Sequence, residues 1–216
     1  MGGRPRDCNE RTRHVAAEVA ALRKQAEAVA QEEQKLEGTS HGKQLAMVAE
    51  LEEVLRPVAD LWGAAVAVAK NLASWTRTPV TALDGAAVRV EHTKLRETLM
   101  GLLQGLRVAK RDAPAKAAQE ALLQLESFEK DIPVVLALSS PEFRAQHWRQ
   151  VSALAGVTLS REHPTTLQQL NELGALTDTK ATNIVKIGAE ATEEAALLRQ
   201  LRPVELFVRD EAVLRL

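Results

Sequence analysis

Apolar side chains recur at steps of three and four along almost the whole chain, and no stretch of useful length alternates apolar with polar residues. A chain with that period buries its apolar groups as helices and not as strands. From about Asn9 to Leu36 the stripe is Val15, Val19, Leu22, Val29 and Leu36, with Arg, Lys, Glu and Gln between them. A second stripe, from about Lys43 to Thr76, carries Leu45, Val48, Leu51, Leu55, Val58, Leu61, Trp62, Leu72 and Trp75. Pro57 lies inside it and is expected to bend that helix, because its ring removes one backbone donor and clashes with the preceding turn. The predicted fold class is all-α, an elongated, rod-like array of about six or seven antiparallel helices.

Breakers divide the array. Glu37-Gly-Thr-Ser-His-Gly42 is read as a loop, Thr78-Pro79 as a break, and Asp84 as the cap of a helix striped by Val88, Leu95, Leu99, Leu102, Leu103 and Leu106. Ala113-Pro114 opens the next helix, with Ala121, Leu122, Leu125, Phe128 and Ile132. The apolar run Val134 to Leu138 after Pro133 reads either as a kinked helix end or as an extended stretch. Ser140-Pro141 reads as an N-cap with proline at the first helical position, and Gly156 as the stop after Phe143, Trp148, Val151 and Leu154. A short helix then ends near Leu173-Gly174, and a longer one with Ile184, Ile187, Ala191, Leu198 and Leu201 is expected to stop before Pro203. The expected division is a disordered tail over 1–10, a long-helix antiparallel bundle over 11–139, a smaller helical subdomain over 140–202, and a loose tail over 203–216.

Composition narrows function more than fold. Of 216 residues 45% are hydrophobic but only 3% aromatic, so the three tryptophans, Trp62, Trp75 and Trp148, are expected to anchor the core. Lys and Arg total 28 against 29 Asp and Glu, with the signs interleaved, which gives no basic patch for nucleic acid or anionic membrane. No apolar run approaches the 18 residues of a membrane span, and the N-terminus has no apolar signal core, so the expected setting is intracellular and soluble. A single cysteine, Cys8, forbids an internal disulfide and agrees with a reducing compartment.

The chemistry sought in the sequence is largely missing from it. Gly38-Thr-Ser-His-Gly42-Lys43-Gln44 has three residues between its glycines where a phosphate loop needs four, and Gln where the magnesium-binding hydroxyl belongs, so an interhelical turn is the better reading. His14, His41, His92, His147 and His163 are scattered, with no His-Glu-x-x-His spacing for a metal. Glu32-Glu33, Glu52-Glu53 and Glu193-Glu194 sit beside basic residues as solvated helix faces do. Ser40-His41 has no nucleophile-elbow context. No catalytic residue, cofactor or metal site is expected, and the chain is not read as an enzyme.

One stretch is distinctive: Asp131-Ile-Pro-Val-Val-Leu-Ala-Leu-Ser-Ser-Pro-Glu-Phe-Arg-Ala-Gln-His-Trp-Arg-Gln-Val151. It resembles the best marked part of the dynein heavy chain linker, in which an apolar run, a proline-initiated helix and a His-Trp pair succeed one another at this spacing. The resemblance extends upstream to Gln31–Leu36, Leu61-Trp62, Trp75 and Thr78-Pro79, and downstream to Thr166–Gly174 and Ile184–Leu201, roughly residues 20 to 201 in all. Two departures stand out: no Trp comes after Leu201 near Pro203-Val-Glu-Leu-Phe, and no motor module comes after it, as in a fragment or a truncated copy.

The resemblance implies a helical rod lying across a ring of ATPase modules, whose bending converts nucleotide chemistry into movement along microtubules. It implies as partners the ATPase ring of the heavy chain and dynein intermediate or light chains. It also implies the cytoskeleton of cytoplasm, cilium or flagellum, with the Pro133 to Pro141 context nearer to axonemal members. Motif residues under it are Trp62, Trp75, Pro79, Pro133, Pro141, Phe143, His147, Trp148, Gly156, Leu173 and Gly174. His147 reads either as a partly buried ring satisfied by a backbone carbonyl or as a contact to the ATPase ring. The alternative for the whole chain is a stand-alone, coiled-coil-like scaffold or adaptor, although its seam is irregular for heptads.

Overall fold

The computed structural model describes residues 4–35, 42–160 and 165–213, and side chains over 4–32, 44–160 and 165–201. Of the phosphate-loop-like turn, residues 38–41 lie outside the described residues, as does His163. Among the described residues the fold is all-α. Helices α1 (Pro5–Lys35), α2 (Gly42–Arg77), α3 (Gly85–Val108), α4 (Asp112–Ser127), α5 (Ile132–Leu138), α6 (Ala145–Ala155), α7 (Leu167–Glu172) and α8 (Asp178–Val213) are joined by turns that include 3-10 segments at Val80–Ala82 and Glu129–Asp131. The sole β-type feature among them is an isolated antiparallel bridge between Pro79 and Thr166, with the Val80 N–H donating to the Thr165 carbonyl at 2.9 Å.

Two compact units divide the chain, one built from Met1–Asn71 and His92–Ser127, the other from Leu72–Glu91 and Phe128–Leu216. This grouping differs from the expected boundary between residues 139 and 140, which falls within the second unit. There α5 is held against α8 at a glycine: a Cβ built on Gly188 would lie 2.6 Å from the Ala137 Cβ. The apolar run 134–138 is therefore a helix of its own, opened by Pro133 in the first turn, where its missing N–H costs nothing.

In the first unit α1 and α2 run antiparallel. Arg23 Nη1 donates to Glu52 Oε2 at 2.6 Å, while Cys8, Arg11, Thr12 and Val15 share a shallow groove with Leu55 and Trp62. Pro57 lies inside α2 and leaves the carbonyl four residues earlier without its usual donor. The adjacent carbonyl, that of Val54, accepts from Arg111 Nη1 at 2.6 Å, a charged donor placed where the ladder is interrupted. The same unit holds α4 beside the C-terminal part of α3, with His92 Nε2 3.0 Å from the Leu125 carbonyl oxygen and both residues buried.

Three helices end on a left-handed residue. The Arg111 N–H reaches the Leu106 carbonyl and the Lys110 N–H that of Arg107, a Schellman pair with Lys110 at φ 53°. Gly174, at φ 63°, closes α7 in the same way through Ala175 to Leu170, and Gly156, at φ 74°, closes α6. Only at Lys110 is the position filled by a residue with a Cβ to strain.

Three expected boundaries are corrected. Residues 5–10, expected in a disordered tail, are the first turns of α1, where Pro5 supplies a preset φ and Asp7 a negative charge at the helix N-terminus; Asn9 is buried. Helix α8 does not stop before Pro203 but runs on to Val213, so 203–213 is not a tail. One proline removes one donor, and a helix with good formers on both sides can continue past it, as α2 continues past Pro57. Ser140-Pro141 does not start α6, which begins at Ala145 with Arg144 as N-cap.

Candidate functional site

The distinctive stretch folds into one joint of the second unit, formed by the turn before α6, α6 itself and the facing part of α8. Ser140 Oγ accepts from the Glu142 N–H at 3.3 Å, and Pro141 occupies that exposed turn and not a helix. The joint turns at Arg144, whose extended backbone (φ −98°, ψ 170°) lets its N–H point to His147 Nδ1 at 3.1 Å. A residue three places into a helix that reaches back to the N-cap N–H does what the acidic member of a capping box does. Here imidazole fills the place, which is why Ser-Pro, the commoner start signal, misleads.

His147 is 2% exposed. Because Nδ1 accepts the Arg144 N–H, the ring's hydrogen sits on Nε2, which lies 3.4 Å from Glu194 Oε2 on α8. Gln146 Nε2 donates to the same carboxylate oxygen at 2.9 Å, and Arg199 on α8 pairs with Glu142 in the turn. The ring thus takes a backbone N–H at Nδ1 and holds Nε2 within ion-pair range of a carboxylate, and no backbone carbonyl is bonded to it among the described residues.

Behind this polar edge is an aromatic wedge. Phe143 meets Trp148 edge-on, with ring centroids 5.1 Å apart, and His147 at 5.6 Å; Phe143 and Trp148 are both buried. Such aromatic pairs contribute about 0.5–1.5 kcal/mol beyond the area they remove from water. Trp148 Nε1 is buried without a hydrogen-bond partner among the described residues. Ser152, one turn on, accepts from the Leu159 N–H at 2.8 Å, and its hydroxyl lies within reach of the Trp148 and Leu159 carbonyls; this ties the segment after Gly156 back to α6.

The other motif residues separate. Trp75 is buried in the same unit, 5.2 Å from Phe128. Pro79 precedes the first 3-10 turn and bridges to Thr166, the cap of α7, whose Oγ1 accepts from the Gln169 N–H. Pro133 is exposed at the start of α5, and Leu173, the C-cap of α7, is half exposed before Gly174. Trp62 belongs to the first unit and is only partly buried in its groove, so it is not the core anchor its bulk suggested. An indole on α2 lies where α1 supplies Cys8, Arg11 and Thr12, too small or polar a set to close over it.

Sequence reasoning missed Gln146, Glu194, Glu142, Arg199 and the close-contact glycines Gly85 and Gly188. Glu142 and Arg199 are 57 residues apart, so no local pattern pairs them. Gly188 carried a readable signal, being a glycine inside a helix, as occurs where a neighbour leaves no room for a Cβ; Gly85, the first residue of α3, carried none.

The chemistry the site can perform is limited. Alongside it runs an open groove of about 610 Å³ lined by Phe143, Ala145, Trp148, Arg149, Ser152 and Leu159, among others, whose exposed surface is mostly apolar and brings no acids and bases together. Among the described residues no three His, Cys, Asp or Glu side chains gather as a metal site would require, and no helix is long and apolar enough to cross a membrane. A joint of this kind fixes the angle between helices.

The chain has known relatives. A family model described as dynein heavy chain, N-terminal region 2, matches residues 48–212. The chain belongs to this family. It is 24% identical over 150 residues to dynein axonemal heavy chain 3 of Homo sapiens, a match covering 69% of this chain and 4% of that protein. The same protein of Mus musculus matches at 24% over 149 residues, and dynein axonemal heavy chain 6 of Homo sapiens at 26% over 132 residues, covering 61% of this chain and 3% of that protein. This dynein heavy chain region thus spans about 4% or less of the length of these curated relatives.

Proposed function

We propose that this chain is a non-catalytic portion of a dynein heavy chain linker, a mechanical element that transmits ATP-driven motion of a motor ring to microtubule-based movement. The observation that carries the reading is that the family match over 48–212 takes in the whole joint at α6, where polar ties and an aromatic wedge hold α6 to α8. Close-packed interiors pass displacement on because they repack between discrete arrangements and do not deform smoothly. Its partners on this reading are the ATPase ring of a heavy chain and dynein intermediate or light chains, and its place is the cytoskeleton of an axoneme, in keeping with the names of the relatives. Phosphate chemistry then belongs to the ring and not to these residues.

The test is a chimera in which residues 48–212 replace the corresponding segment of an axonemal heavy chain 3 motor. ATP hydrolysis and microtubule gliding are both expected to persist. Hydrolysis without gliding, matching a motor whose segment is replaced by an unrelated helical bundle, contradicts the reading, as does ATP turnover by the isolated chain.

A further inference from the structure

Ser140-Pro141, which has the form of a helix start, is left by the fold without that task. It occupies the irregular turn between α5 and α6, with Pro141 exposed and Ser140 half-buried at the rim of a shallow groove that α5 shares with Gly188, Ala189 and Thr192 of α8. Ser140 Oγ accepts from the Glu142 N–H at 3.3 Å and has no acceptor for its own proton among the described residues. The Phe143 N–H reaches the Ser140 carbonyl at 3.4 Å, so both bonds that close the turn lie past the long end of the usual range, and it opens easily. The neighbouring serine differs. Ser139 Oγ donates to the Leu136 carbonyl and stands 2.5 Å from where a Cβ on Gly85 would be, shut in by the first residue of α3.

A serine followed by proline in such a turn is the substrate pattern of a proline-directed protein kinase. An enzyme of that class closes an apolar pocket over the residue after the acceptor, where any residue but proline would leave a backbone N–H unpaired. The same proline keeps the serine before it out of the helical region, near the extended backbone that a kinase cleft takes. The chain has a second pair of this type, Thr78-Pro79. That pair is tied on both sides: the Thr78 N–H donates to the Ser74 carbonyl and the Val80 N–H to the Thr165 carbonyl, each at 2.9 Å, while Pro79 bridges to Thr166. Freeing it breaks bonds of ordinary length, whereas freeing Ser140 does not.

We propose that Ser140 is a phosphorylation site for a proline-directed kinase, and that its phosphate takes Arg199 from Glu142. The kinase transfers the γ-phosphoryl group of magnesium ATP to Ser140 Oγ: the new O–P bond forms as the bond to the β-phosphate oxygen breaks, ADP leaves, and the hydroxyl proton passes to the kinase's catalytic aspartate. The product carries nearly two negative charges at neutral pH, roughly −1.5 to −2, and three strong acceptor oxygens. Arg199 pairs with Glu142 in the same turn, and it stands about two helical turns beyond Thr192 on the stripe of α8 that Ser140 faces. A phosphate there competes with a single carboxylate for the guanidinium and, with its higher charge and its fit to two parallel N–H donors, displaces it. The site needs only the turn and α8, so it stands apart from the motor reading.

Incubation of the full chain with a purified proline-directed kinase and magnesium ATP, followed by phosphopeptide mass spectrometry, tests the assignment. Phosphate is expected on Ser140 and not on Thr78. Ser140→Ala abolishes it and Pro141→Ala slows it about tenfold or more, both with unchanged helical circular dichroism. The exchange of partners is read by a double-mutant cycle of Glu142→Gln and Arg199→Gln in urea unfolding, whose coupling is expected in the unmodified chain and lost after phosphorylation. A native chain left unmodified by a kinase that phosphorylates a peptide of residues 136–146 overturns the assignment, as does equal labelling of Thr78. No coupling before phosphorylation, or one that survives it, overturns the exchange.

Discussion

Gly188 sits inside α8, where glycine costs about 1 kcal/mol relative to alanine, so on helix propensity alone Gly188→Ala should stabilise the protein. The packing reverses the sign. The added Cβ would lie 2.6 Å from the Ala137 Cβ and 3.0 Å from its Cα, neither of which is the movable end of a flexible side chain. Forcing a methyl group into a closed contact typically costs about 1–3 kcal/mol, and after the propensity gain the expected net loss is about 1 kcal/mol. Gly101 and Gly105 in α3 supply the control, since a Cβ on either meets nothing within 4 Å. There the same substitution is expected to stabilise by up to about 1 kcal/mol. Urea unfolding followed by circular dichroism measures both. Adding Ala137→Gly to Gly188→Ala is expected to recover part of the loss, with a coupling of about 1 kcal/mol, because the two methyl groups compete for one space. Should Gly188→Ala stabilise as much as Gly101→Ala, α5 and α8 are farther apart than this packing requires and the joint is not closely packed.

Three further outcomes are expected of the same structure. Trp148→Ala is expected to cost roughly 3–5 kcal/mol by emptying a buried aromatic site, and a thermal melt that does not move would place the ring at the surface. Lys110→Gly is expected to stabilise by about 1 kcal/mol, a rise in Tm of about 2–4 °C, by relieving the left-handed strain at the end of α3; Lys110→Ala, which keeps the Cβ, serves as the control that should not rise. Burial pushes the Asp131 carboxyl above its ordinary 3.8, with Lys130 opposing more weakly. The folded state therefore holds that proton more tightly than the unfolded chain, so the cost is full above the raised pKa and is relieved as pH falls toward 3.8. Asp131→Asn should accordingly be the more stable protein at neutral pH, with the gap narrowing in acid; a gap that widens in acid contradicts it.

What the sequence made legible is what short-range chemistry decides. The period of three and four prescribed helices, Asp84 caps α3 through the Ala87 N–H at 3.0 Å, and Gly156 closes α6 in the left-handed conformation that favours glycine. The departures share a cause in tertiary structure. Ser140-Pro141 has the form of a helix start, but an imidazole three residues into α6 supplies the cap later, and that role depends on the ring being buried against α8. Pro203 has the form of a stop, yet a proline breaks a helix only where the flanking turns cannot carry the kink. Trp62 has the bulk of an anchor, but its burial depends on what α1 places over it. The family resemblance was carried by local order in 131–151, whereas the carboxylate completing the joint, on Glu194, comes from a helix whose pairing no spacing rule predicts.

The central claim, that the packed joint at α6 passes on motion made elsewhere, is tested most directly by coupling. In the chimeric motor, gliding velocity and ATP hydrolysis are measured together with and without Trp148→Ala. Hydrolysis is expected to persist while velocity per ATP hydrolysed falls. An unchanged ratio, in a variant shown to have lost stability, would contradict it.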